Sequence, residues 1–141
     1  MEIINQYHQA AAITAARVFL GILFFFQGFD AVFRIRIKNV IQTYQNTFTN
    51  RGIPKFLIIF GVCFTSCSAL VCGFLLMIGL FEYAALNILC LNVIIAAIGF
   101  GINTPMWDMR FVFPRFILIL LLLLVPQYWN IFSLDHLLFP K

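Results

Sequence analysis

The sequence predicts an all-α, polytopic membrane protein: a four-transmembrane-helix bundle with an amphipathic interfacial helix between helices 1 and 2. Three observations carry this prediction. Hydrophobic residues make up 63% of the 141-residue chain and charged residues 10%, against roughly 25% charged in an average soluble domain. The apolar residues fall in blocks long enough to cross a hydrocarbon core, which takes about 20 residues per helix. The charges fall mainly between those blocks. What is left over makes short loops and termini, so residues 1–141 are expected to form one membrane domain.

The first span is expected at about 10–33, from Ala10 to Phe33, with Arg17 near its start and Asp30 near its end. The preceding Met1-Glu2-Ile3-Ile4 has no basic region ahead of the apolar stretch. This first span is therefore expected to stay in the protein rather than be cleaved as a signal. Next comes the basic run Arg34-Ile-Arg-Ile-Lys38. Ile37, Ile41, Tyr44 and Phe48 then follow at helical spacing, with Asn39, Gln42, Gln45 and Asn46 between them. That pattern predicts an amphipathic helix over about 37–50 lying on the membrane surface, stopped by Gly52 and Pro54.

From Phe56 to Ile102 there is one charge, Glu82, and the stretch is far too long for a single crossing. Two spans are expected, 56–79 and 83–102, turning between Gly79 and Tyr83. The fourth, 111–129, is marked by the apolar run Phe116–Val125 and extended by Phe111, Val112, Phe113 and Pro114 before it and Tyr128 and Trp129 after it. Arg115 falls inside this window, and its side chain is expected to snorkel to the near interface.

Loops one and three carry Arg34, Arg36, Lys38, Arg51, Lys55, Arg110 and Arg115, whereas the opposite side has Arg17 and Lys141. By the positive-inside rule both termini lie outside the cytoplasm. Tyr7, Tyr83, Tyr128 and Trp129 would form an outer aromatic belt, and Tyr44 and Trp107 an inner one. The net charge of +4 is then a membrane-orienting charge and not a nucleic-acid signal.

Lipid tails are as apolar as leucine, so helices in a bilayer associate through small residues. Gly21 and Gly28 offer such a face on span one. Gly61, Thr65, Ser68, Cys72 and Gly79 do so on span two, and Ala85, Asn92, Ala96 and Gly99 on span three. The Leu-rich fourth span has no such stripe and is expected to be the most lipid- or partner-exposed.

Ala16-Arg17-Val-Phe-Leu-Gly21 followed by Gln27-Gly28-Phe-Asp30 resembles the opening of the DoxX family of small four-helix membrane proteins. Gly52-Ile-Pro54, Gly73-Phe-Leu-Leu-Met-Ile-Gly79 and Ser133-Leu-Asp135 are similar to that family in the same order. The chain departs from the family at Ala31, where a lysine is common, and at Ser68 and Ala69, where an acidic residue is common. The resemblance implies a bacterial inner-membrane partner of redox systems, since the family includes a small subunit of thiosulfate:quinone oxidoreductases.

Ionisable groups within spans are costly and mark candidate sites. Thirteen helical residues separate Arg17 from Asp30, about 20 Å, so the two cannot pair. Interfacial snorkelling or a structural bond to a neighbouring helix is weighed against a functional pocket for Arg17, and a structural role with Arg34 or at a helix end is weighed for Asp30. Asn87 and Asn92, with Ser66 and Ser68, suit bonds across helices. A quinone headgroup also needs a few polar groups in an apolar slot, and Arg17, Asp30, Ser68 and Asn92 are the candidate pocket.

Cys63, Cys67, Cys72 and Cys90 contain no Cys-x-x-Cys motif and read as small packing residues. His8 and His136 lie in terminal segments, away from the spans, and are poor haem ligands. No nucleophile is paired with a base and no glycine-rich nucleotide loop is present, so catalysis by this chain alone is not expected. The expected role is an accessory or anchoring subunit of a larger inner-membrane complex. A quinone-binding subunit of an oxidoreductase is the alternative, and a small transporter the third.

Overall fold

The computed structural model describes residues 2–48, 52–103 and 112–126, and within these the regular structure is entirely helical. Five α-helices follow one another: α1 (Glu2–Phe29), α2 (Ile37–Phe48), α3 (Lys55–Ile78), α4 (Glu82–Asn103) and α5 (Phe113–Leu124). Three helical stretches, Tyr7–Arg34, Lys55–Ile78 and Glu82–Ile102, are long and apolar enough to cross a membrane. The chain is accordingly a multi-pass membrane protein by length and composition. Trp107, Arg110, Phe111, Tyr128, Trp129, Asp135 and His136, together with Arg51, lie outside the described residues.

α1 begins eight residues before the expected span, so His8 is part of a helix and not of a loose terminus. Tyr7 consequently sits ten residues beyond Arg17, about 15 Å along the axis, while Tyr83 is adjacent to Glu82 at the level of Arg17. The two tyrosines expected in one outer belt are not level.

α1 ends in a π-helical turn, Asp30–Arg34, in which the Ile35 N–H donates to the Asp30 carbonyl at 2.8 Å. Arg36 then takes a left-handed backbone, φ 67°, which breaks the axis before α2.

Ile37, Tyr44 and Phe48 do share one face of α2, as the spacing predicts. That face packs with Val40 and Ile41 against Ile58 and Val62 of α3 and Ile102 of α4. The apolar side of α2 thus faces helices of the bundle.

α1 and α3 are antiparallel and in backbone contact. A Cβ at Gly21 would lie 2.9 Å from the Gly73 carbonyl oxygen, and one at Gly73 would lie 2.5 Å from the Phe25 nitrogen. One at Gly28 would lie 2.4 Å from the Leu70 nitrogen. Only hydrogen fits at these positions. The span-two partner is therefore Gly73, which stands outside the expected stripe. Of that stripe, Gly61 makes only an ordinary 3.9 Å approach to Ile95, Thr65 and Ser68 meet α4 through Asn92, and Cys72 is buried in the main core.

The α3–α4 turn falls where predicted. Gly79 adopts φ 72° as the C-terminal cap of α3, and the Leu80 N–H reaches back to the Leu75 carbonyl at 3.0 Å, the left-handed closure that glycine permits without strain.

α5 is shorter than the predicted span. Its 12 residues reach about 18 Å, because Pro126 forces Val125 into extended backbone at ψ 131°. Its C-terminal end lies beside the α3–α4 turn, where the Tyr83 hydroxyl donates to the Val125 carbonyl at 3.5 Å. Ile119 and Leu122 are buried in the core, and the rest of the helix is mostly open.

Candidate functional site

Polar side chains that join the helices gather at two levels. At the first, Arg17 is only 2% exposed, and its guanidinium lies 3.4 Å from the Glu82 carboxylate. The same guanidinium packs over Gly79, where a Cβ would be 3.0 Å from it. Glu82 occupies the first turn of α4, where the helix dipole favours a carboxylate. Arg17 therefore points into the bundle and joins α1 to the α3–α4 turn. Its partner went unnoticed in the sequence although the signal was plain: Glu82 is the sole charge between Phe56 and Ile102.

The second level lies deeper. Gln27 is ten residues beyond Arg17 and Asn92 ten beyond Glu82, so both amides sit about 15 Å from the ion pair along the axis. α4 continues another eleven residues to Asn103, which puts Asn92 midway along it. The Asn92 amide nitrogen donates to the Thr65 carbonyl at 2.8 Å and to the Ser68 hydroxyl at 2.6 Å. Two acceptors on the nitrogen fix the amide orientation and leave its oxygen as an available acceptor.

Arg115 reaches the same level from α5. It donates to the Gln27 amide oxygen, and its guanidinium carbon lies 5.7 Å from the centre of the Phe24 ring, within cation–π range. Arg115 is half-buried, and its partners Gln27 and Phe24 belong to the last turns of α1, two and five residues before its end at Phe29. A cavity of about 250 Å³ opens between α1, α4 and α5, lined by Gln27, Asn92 and Arg115 with Phe24, Phe100 and Val112 among its apolar walls.

Comparison with family models, curated proteins and solved structures finds no match. Likeness to the DoxX family therefore rests on the motifs alone. Several of their residues are ones the packing uses: Arg17, Gly21, Gly28, Gly73 and Gly79 all lie at the α1–α3 contact or the turn above it.

The four residues expected to share one pocket do not. Ser68 and Asn92 are bonded to each other, Arg17 is about 15 Å away along the axis, and Asp30 faces outward, 3.7 Å from Arg34. Asn87 donates within its own helix to the Tyr83 carbonyl, and Ser66 is buried. The four cysteines are free thiols spread between buried and exposed positions. Gln27 and Arg115 replace Arg17 and Asp30 as neighbours of Asn92. An arginine four residues inside an apolar stretch, after Phe111-Val-Phe-Pro114, was the signal available for Arg115.

Replacing Asn92 by leucine is expected to destabilise the fold by about 0.6–1.7 kcal/mol, the range of interhelical hydrogen bonds in membranes. Thermal unfolding in mild detergent measures it.

Proposed function

We propose that this chain is a DoxX-like membrane subunit that binds a quinone in the cavity between α1, α4 and α5. Arg115 carries the reading. It is half-buried, bonds across helices to Gln27 and lines the cavity, and an ionisable side chain within an apolar membrane helix that faces a cavity is a candidate binding group. Its guanidinium and the Gln27 amide nitrogen are donors suited to a carbonyl oxygen, the Asn92 amide oxygen is an acceptor, and Phe24 and Phe100 supply apolar walls. This donor set fits a quinone headgroup, whose carbonyl oxygens need donors in an apolar slot. A bound quinone would contribute two-electron redox chemistry; the residues here position it and exclude water.

In this reading the chain crosses the bacterial inner membrane four times, α5 and its flanks forming the fourth span. α2 lies at the cytoplasmic interface with its polar side outward, and both termini face away from the cytoplasm. Support comes from the antiparallel order of α1, α3, α4 and α5 and from the basic residues gathered near α2.

The test is extraction of gently purified protein followed by mass spectrometry of its lipids. Stoichiometric quinone is expected, falling about tenfold or more in Arg115→Leu, the loss of a charge-assisted bond, with thermal stability retained. Wild-type protein without quinone across several gentle preparations would overturn the reading.

A second reading, an accessory or anchoring subunit of a larger redox-linked complex, is favoured by the apolar outer side of α5, where Phe113, Ile117, Leu120, Leu121 and Leu124 are exposed. Fixed-ratio co-purification of a membrane complex without quinone would favour it.

A further inference from the structure

The outer face of α1 and α3, remote from the cavity, carries an apolar groove that ends at a basic cluster. Phe25, Phe29 and Phe33 line one wall and Leu70, Val71 and Phe74 the other, enclosing about 360 Å³. The rings form a continuous rim: Phe25 and Phe29 have centroids 6.2 Å apart, Phe29 and Phe33 5.0 Å, and Phe25 and Phe74 6.2 Å. The glycine contacts at Gly28 and Gly73 make the valley possible, because they draw the two backbones together beneath these side chains.

At the Phe33 end the chain changes character. Within nine residues it places Asp30, Arg34, Arg36 and Lys38, a net charge of +2 (three cations less one carboxylate). Arg34, Arg36 and Lys38 are all exposed, as are Phe33 and Ile35. The π turn and the left-handed Arg36 bend the chain at this point. Such backbone is uncommon in a non-glycine residue and persists where the surroundings hold it.

We infer that this face retains one anionic phospholipid, with an acyl chain lying in the phenylalanine groove and the phosphate held by Arg34, Arg36 and Lys38. Arg34 contributes despite its neighbour Asp30, which lies 3.7 Å away and still leaves the Arg34 side chain 79% exposed. Guanidinium groups match phosphate oxygens with paired N–H donors, and lysine adds a point charge. A groove of purely apolar residues running into a cluster of exposed cations has the two-part character of a lipid, apolar tail and anionic head. A helix of a partner protein would need its own carboxylate at one end to match it. The site is independent of the quinone proposal, and neither result decides the other.

Native mass spectrometry of the full chain released from mixed micelles of phosphatidylglycerol and phosphatidylcholine tests it. One retained phosphatidylglycerol is expected, preferred about tenfold over phosphatidylcholine, as a few basic residues near a membrane surface provide. The combined Arg34→Gln, Arg36→Gln, Lys38→Gln variant should lose the preference. Val71→Trp, which fills the groove from its exposed rim, should lose retention while keeping the cations. Thermal melting confirms that both variants are folded. Equal retention of the two lipids would overturn the site, as would a preference that survives the triple substitution, or a partner helix cross-linked at position 71 in native membranes.

Discussion

Gly73→Val is expected to separate α1 from α3 and to leave little folded protein at physiological temperature. A Cβ at this position already falls 2.5 Å from the Phe25 nitrogen and 2.9 Å from the Gly21 carbonyl oxygen. Both are backbone atoms, so no rotamer change can relieve the overlap. Overpacking a yielding core costs about 1–3 kcal/mol, and a backbone-on-backbone clash at the most extensive helix pair should exceed that range. Thermal unfolding in mild detergent, with Gly61→Val as comparison, measures the effect. The comparison site has Ile95 at 3.9 Å as its nearest neighbour and should cost far less. Equal stability of the two variants would show that close approach of α1 and α3 is not what joins them.

Glu82→Ala should be the second most damaging change. It removes the carboxylate 3.4 Å from a guanidinium that is 2% exposed, and breaking a buried ion pair from one side typically costs about 3–5 kcal/mol. The double replacement Arg17→Met, Glu82→Leu is expected to recover most of that loss, because it removes the charges together and keeps apolar volume. Chemical unfolding of wild type, both single variants and the double variant forms the thermodynamic cycle. If Glu82→Ala alone leaves stability unchanged, other contacts of Arg17 bear the charge and the pair is dispensable.

The fold was legible where long apolar blocks and turn residues coincide. The α3–α4 hairpin illustrates this, because an uninterrupted stretch with Gly79 and Glu82 near its centre admits one arrangement. The α2 face was legible from its spacing, but the surface that receives it was not. Amphipathicity shows that one side is apolar and says nothing of whether lipid or protein covers it. The same gap hid the role of Gly73: helical periodicity ranks small residues along one helix, while the crossing point depends on both helices.

Among site residues, the Ser68–Asn92 bond could be anticipated from polar residues on neighbouring spans. Arg115 could not, since hydropathy treats depth as distance along the sequence. Pro126 ends α5 at Leu124, and the opposite end of that helix sets Arg115 beside Gln27 and Phe24, contacts that spacing within one span does not show.

The Arg17–Glu82 pair also bears on how the chain is made. Its members are 65 residues apart in sequence, so at roughly 5–20 residues per second of synthesis the arginine waits about 3 to 13 s for its counter-charge. For most of that interval α1 has neither Gly73 to dock against nor the Glu82 carboxylate to meet. The nascent first helix must be held by the insertion machinery, or ride high with Arg17 in the headgroups, until the later hairpin arrives and draws it to its final depth.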